Sequence, residues 1–266
     1  MTPGPTHVAR TVLPIRDGAP QTEREDMLAE EVPVALEYNG ISHATVLATP
    51  ADLADFARGF SLTEGIVRSP ADIRGIEVIP RADGIVVQLE IAAACEMQLK
   101  ARRRAMAGRT GCGLCGVETL DQVVRPVPPL GPRGAVSLAA IQAALGDLRA
   151  AQPLHQVTGA THAAGWADAR GSLRCVREDV GRHNALDKLI GATLSEPREG
   201  AFAVVSSRAS FEMVQKCVAA GIDTLVAVSA PTALAVRLAE EAGLLLVGFA
   251  RGATASVYAH RARLDA

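Results

Sequence analysis

AFAVVSSRASFEMVQKCVAAGIDTLVAVSAPTALAVRLAEEAGLLLVG, residues 201–248, is the stretch whose reading sets the fold. Apolar runs at 201–206, 224–228 and 244–248 alternate with segments of helical length at 210–220 and 231–242. Fully apolar strands alternating with helices predict a largely parallel sheet covered by helices. Ligands on such sheets settle beyond the carboxyl ends of the strands. The residues placed there are Ser206, Ser207 and Arg208, then Ser229, then Phe249, Ala250, Arg251 and Gly252. Hydroxyls and cations at strand ends suit a phosphate or ribose pocket, although Ser210 reads equally well as a helix N-cap.

Working outward, REDVGRHNALDKLIG at 177–191 combines an apolar helix face with a dense polar cluster that includes Arg182 and His183. Its arginines could clamp a phosphate bidentately. The alternative is a capped helix start, with Asp179 as cap and Asp187 and Lys188 solvated. Short strands are predicted at 163–166 and 173–177, and a helix capped by Ser137 runs to 151. His162 opens the first of these strands, as a structural or a catalytic residue. Four prolines and two glycines within 121–134 mark a linker, placed at 126–136. Before it, Asn39-Gly40 joins two extended runs in a hairpin, Thr49-Pro50 starts a helix ending near Gly65, and strands follow at 76–79 and 85–91. Residues 1–30, rich in Pro, Gly and Thr, read as a flexible tail. The resulting division is a tail, a smaller β-rich α+β domain at 31–125, the linker, and an α/β domain at 137–266.

GRTGCGLCG, residues 108–116, ends the first domain and follows a basic helix at 93–107 that carries Lys100, Arg102, Arg103 and Arg104. Cations beside a thiol stabilise its thiolate and can lower its pKa from ~8.5 into the ~3.5–7.5 range. The same arginines could instead simply complement the negative end of the helix dipole. A zinc site needs four ligands, and Cys95, Cys175 and Cys217 are isolated, so no intrinsic metal is expected. A thioredoxin-like motif would open a helix after the first strand of a βαβ unit, whereas here glycines flank the pair. Two merely packed cysteines would sit on an apolar face. A nucleophilic thiol loop at Cys112 and Cys115 is the preferred reading.

With 266 residues, 48% of them hydrophobic, the chain can bury one large or two unequal cores. A net charge of −2 and 3% aromatic residues argue against a nucleic-acid binder. No apolar run approaches the ~18 residues that would cross a bilayer, and no leader is visible, so free thiols in the cytoplasm are expected. A homodimer is expected because closed two-fold dimers are the commonest soluble oligomers.

Five ordered motifs, TGCGLCG, TGATHAA, REDVGRHNALDKLIG, SSRASFEMVQK and GFARG, together with ADLADFARGFSLTEGIV at 51–67, resemble the formate dehydrogenase accessory sulfurtransferases, the FdhD family. The resemblance runs from about residue 32 to the C-terminus. It implies a sulfur carrier that accepts sulfane sulfur from a cysteine desulfurase as a persulfide. The sulfur then passes to the molybdenum, or tungsten, bis-guanine-dinucleotide cofactor before its insertion into formate dehydrogenase. By motif, Cys112 is the persulfide cysteine and Cys115 its companion, and the cofactor-binding stretch matches Phe249, Ala250, Arg251, Gly252, Ala253 and Thr254. The family's fold implies a cytidine deaminase-like, three-layer C-terminal domain. The zinc deaminase signature is absent, since His162 is followed by Ala-Ala, so deamination is not expected. A cofactor chaperone that moves no sulfur, and a dithiol oxidoreductase, are the alternatives.

Overall fold

The computed structural model describes residues 4–107, 129–131, 134–252 and 254–265. Cys112, Cys115, Ala253, Arg109 and residues 126–128 and 132–133 of the expected linker lie outside the described residues.

The chain begins with a two-stranded ribbon rather than an irregular tail. Strand β1 (His7–Val12) pairs antiparallel with β4 (Arg24–Ala29), and β2 (Ile15–Arg16) pairs with β3 (Ala19–Pro20) at its tip. Asp17-Gly18, both at positive φ, make the turn that the Pro/Gly/Thr content obscured. β5 (Val32–Tyr38) and β6 (Ile41–Ala48) form the expected hairpin, with Asn39 and Gly40 at φ 48° and 77°. Helix α1 (Leu53–Thr63) follows, then β7 (Ile73–Arg81), β8 (Gly84–Ile91) and α2 (Ala93–Ala107). The sheet order is β6-β5-β8-β7, with β5 and β8 parallel. Val34, Leu36, Val87 and Leu89 on its inner face pack against Leu53, Phe56 and Ala57 of α1. Helix α1 starts later than Thr49-Pro50 predicts. Thr49 is occupied instead: its amide donates to Asp179 Oδ2 (3.0 Å) and its hydroxyl accepts from the Val180 amide (3.2 Å).

After β9 (Val136–Ser137), α3 (Leu138–Ala150) is capped as expected by Ser137, whose hydroxyl accepts from the Ala140 amide at 3.0 Å. Then come α4 (Pro153–Thr158), β10 (His162–Ala167), β11 (Leu173–Asp179), α5 (Arg182–Ala192), β12 (Phe202–Val205), α6 (Phe211–Ala219), β13 (Thr224–Ala227), α7 (Ala233–Ala242), β14 (Leu245–Arg251), β15 (Thr254–Ala259) and β16 (Leu264–Asp265). The main sheet runs β11-β10-β12-β13-β14-β15. Only β12, β13 and β14 are mutually parallel, while β10 and β15 run antiparallel to their neighbours. The sheet is therefore mixed rather than largely parallel, because the chain between β10 and β11 and the two residues between Arg251 of β14 and Thr254 of β15 are too short for parallel crossovers.

Strand alternation gives the sheet two apolar faces. Ala163, Phe202, Val204, Val226 and Val247 meet α3, whereas Ala164, Trp166, Ala203, Val205 and Leu225 meet α5, α6 and α7. The two sheets are joined by α1 lying on α5. A Cβ on Gly59 would come 1.8 Å from the Asp187 carbonyl oxygen, and one on Gly191 1.9 Å from that of Asp55. Only glycine permits that approach.

Candidate functional site

The polar cluster at 177–191 divides into two parts with different work. Most of it belongs to the joint between the lobes. Arg177 Nη2 meets Asp55 Oδ2 at 2.8 Å, and Lys188 Nζ meets Asp179 Oδ2 at 2.7 Å with both side chains fully buried. Lys188 also donates to the Thr49 carbonyl at 3.0 Å, and Asp179 accepts from the Gly181 amide at 2.8 Å. Asp187 and Lys188, which the capped-helix alternative left in solvent, are interior residues because α1 covers them. Lys216 of α6 reaches Asp187 (2.8 Å), Thr63 (3.0 Å) and Glu64 (3.2 Å). Burial opposes charge on Lys216, but the Asp187 and Glu64 carboxylates outweigh it and raise its pKa. The bidentate clamp expected of the arginines loses Arg177, whose guanidinium is committed to Asp55, just as Asn184 and Lys188 are committed to protein partners.

Arg182 and His183 are the other part, at the start of α5. His183 Nε2 lies 2.7 Å from Glu212 Oε2 and 3.5 Å from Ser210 Oγ. The His183 hydrogen bond holds the Glu212 carboxyl below its ordinary range. Ser210 does occupy the N-cap position of α6, without a side-chain cap bond. Arg182 Nε is buried without a hydrogen-bond partner.

The carboxyl ends of β12, β13 and β14 and the amino end of β10 share one edge of the sheet, as Ala164 pairs with Val205. An open cavity of about 740 Å³ lies there, lined by Ser206, Val228, Ala250, Arg251 and Gly252 together with His162. Ser206 and Ala163 clasp each other: the Ser206 hydroxyl accepts from the Ala163 amide (2.9 Å), and the Ser206 amide donates to the Ala163 carbonyl (3.0 Å). Arg251 Nε donates to the Val228 carbonyl at 3.2 Å, and Thr254 Oγ1 donates to the Arg251 carbonyl at 3.0 Å. Burial first, then Arg182, His155 and His183, hold the His162 pKa below 6.5.

The other strand-end residues are not among those lining this cavity. Ser207 is buried and turns its hydroxyl to the Arg208 carbonyl (3.0 Å), and Arg208 projects from the surface. Ser229 gives its carbonyl to the Phe249 amide (3.2 Å). Phe249 sits at φ 49° and is 48% exposed, a conformation that a bulky residue seldom adopts. Local strain of this kind concentrates at functional sites.

The far wall of the cavity is one that sequence reasoning missed. Gln142 and Arg149 of α3, with Gln152 and His155, reach it from a helix and turn that carry no recognisable motif. Glu178 explains how His155 is placed. Its carboxylate accepts from the Leu154 amide (2.9 Å), the His155 amide (2.8 Å) and the Thr161 hydroxyl (2.9 Å), fixing α4 against β11. The cysteines among the described residues are poorly suited to attack. Burial pushes the Cys217 thiol up to about 12 and raises that of Cys175, and Cys95 is buried.

Comparison with known proteins bears on the family and the fold. The FdhD/NarQ family pattern matches residues 29–265. Sulfur carrier protein FdhD of Bordetella petrii is 61% identical, over 95% of this chain and 92% of that protein. The protein of the same name from Cupriavidus necator is 56% identical, over 98% and 91%. A crystal structure from Desulfotalea psychrophila, assigned to a formate dehydrogenase accessory protein, superimposes with a TM-score of 0.78 at 24% identity. It covers 98% of this chain and 100% of its own, so the fold is shared throughout. No helix among the described residues is long and apolar enough to cross a membrane. With the family pattern spanning both lobes and relatives aligned over nearly their whole length, the chain belongs to the FdhD/NarQ family.

Proposed function

We propose that this protein is a sulfur carrier that loads sulfane sulfur on Cys112 and delivers it to a guanine-dinucleotide molybdenum or tungsten cofactor destined for formate dehydrogenase. The observation that carries the reading is 61% identity, nearly end to end, to a protein named as a sulfur carrier, combined with a TGCGLCG stretch in this chain. Loading is a thiolate exchange. The Cys112 thiolate attacks the outer sulfur of a cysteine desulfurase persulfide, a new S–S bond forms, and the desulfurase cysteine leaves as its thiolate. The raised thiols of Cys175 and Cys217 support assigning the step to the CxxC pair, whose arginine-rich surroundings in sequence favour a thiolate. Cys115 would be its companion.

The cofactor is cargo in this scheme. Ser206, Ala250, Arg251 and Gly252 line the strand-end cavity and would receive one of its nucleotide arms, with Phe249, Ser229 and Thr254 close to the lining residues along the chain. The three-layer C-terminal half is read as cytidine deaminase-like, and the protein as a cytoplasmic two-fold dimer. Incubation with a cysteine desulfurase and cysteine should add the mass of one sulfur atom to the wild type and none to Cys112→Ala. The variant should also lose activation of formate dehydrogenase. Full activation by Cys112→Ala would leave a chaperone that holds the cofactor without moving sulfur, and rapid insulin reduction by the wild type would point to a dithiol oxidoreductase.

A further inference from the structure

Two surfaces of opposite charge, each with a free strand edge, lie outside the strand-end cavity. The first is a groove of about 460 Å³ at the joint of α1 and α5, where α5 ends. It shares no lining residue with the strand-end cavity. Ile73, Arg74, Gly75 and Ile76, consecutive residues of β7, line it. Neighbouring residues of a strand point to opposite faces, so a groove that touches four in a row runs along the strand's edge. β7 is the edge strand of its sheet, and its outer backbone groups have no ladder partner among the described residues. Ile76 and Leu194 supply apolar surface, and Arg58 and Arg74 supply charge. Asp55 answers Arg58 at 3.0 Å, but the same carboxylate also holds Arg177 at 2.8 Å. Arg74 is exposed and has no ion pair among the described residues. It is the extra residue of a β-bulge, since Ile73 pairs with Ile91 and Gly75 with Glu90, and a bulge re-aims a side chain.

The second surface is the N-terminal ribbon. Residues 23–31, EREDMLAEE, hold five carboxylates and one arginine. Glu23, Glu25, Asp26 and Glu31 are exposed, Leu28 is 43% exposed, and none of the five carboxylates has an ion pair among the described residues. β4 pairs with β1 alone, so its other edge is open. A two-stranded ribbon is marginal in water by itself and gains from a further strand. We propose that β4 of a second copy of this chain adds to the edge of β7, with Leu28 in the groove and the ribbon's carboxylates beside Arg58 and Arg74. A two-fold exchange makes this contact twice and closes the assembly. Opposite charge selects groove for ribbon, while like charge keeps one ribbon from pairing with another. The proposal rests on the two-fold dimer given above and deepens it by naming the surfaces in contact.

Sedimentation equilibrium on the full chain tests it. The wild type should be dimeric at low salt, with a dissociation constant that rises about ten-fold or more between ~0.05 M and ~0.5 M salt. Arg74→Glu, and separately Glu25→Lys with Asp26→Lys, alter exposed positions that retain the fold, and each should weaken the dimer by about ten-fold or more. All three substitutions in one chain restore opposite signs across the contact and should recover most of the affinity. Arg237→Glu, on the exposed face of α7, should match the wild type. A wild type that stays monomeric at low salt would overturn the contact and the dimer together. A dimer indifferent to every substitution would overturn the contact and leave a dimer formed through another face. Weakening by only one of the two charge reversals, no recovery in the combined variant, or an equal loss in Arg237→Glu would overturn the pairing of ribbon with groove.

Discussion

His162 is the residue through which pH should reach the site. Burial holds its folded pKa below 6.5, with Arg182, His183 and His155 pressing in the same direction. Unfolding therefore takes up a proton between the lowered value and about 6.5. Its contribution to stability is complete above that window and drains away as pH falls through the lowered pKa. A bound polyanion reverses the preference, since the imidazolium then gains a counter-charge beside Arg149 and Arg251. Pyrophosphate affinity should rise several-fold from about pH 7.5 to about 6, and His162→Asn should flatten that slope. A slope that survives unchanged in His162→Asn would remove His162 as its source. This histidine was visible in the sequence as the start of an extended run. That it stands in a cavity with a second histidine was not, because His155 belongs to a separate short helix placed by Glu178.

Among the elements, the contact between α1 and α5 organises the molecule, and α6 fastens it from the side. Gly59 and Gly191 let the two backbones approach, and Lys216 closes the polar end by bonding Asp187 of α5, Thr63 of α1 and Glu64 just beyond it. Burial raises the Asp187 carboxyl above its ordinary range, so this charge is held in place by Lys216 and Thr63 rather than by water. Taking away one partner leaves a buried, uncompensated charge. Lys216→Met should cost about 3–5 kcal/mol in urea unfolding, and the double variant Asp187→Asn with Lys216→Met should cost clearly less. Equal losses would show that Lys216 contributes packing over Phe60 more than charge. The helices themselves were readable from spacing: α2 has the predicted bounds, and Ser137 caps α3. What misled was Thr49-Pro50, a sound N-cap signal locally, whose threonine is claimed by Asp179 from 130 positions along the chain.

For the whole molecule, the buried cores lie within the two lobes and the N-terminal ribbon is an addition to them. The buried cores contain no residue before Val34, and the family pattern itself begins at residue 29. Removing residues 1–28 should leave one cooperative thermal transition, shifted by about 2–4 °C for each kcal/mol the ribbon contributes. Loss of cooperativity would mean that the ribbon completes a core. The sequence by itself determined most of the strands and helices of the C-terminal half, though not α4 or β15, together with the Asn39-Gly40 hairpin, the strand-end position of Ser206 and Arg251, and the family, because these depend on local periodicity, turn chemistry and ordered motifs. Only the tertiary structure decided that the sheet is mixed, that Arg177, Asp187 and Lys188 hold the lobes together instead of a ligand, and that Arg149 and His155 join Arg251 at one cavity. Those outcomes depend on which distant groups meet and on whether burial leaves a charge with a partner, and no local pattern along the chain carries that information.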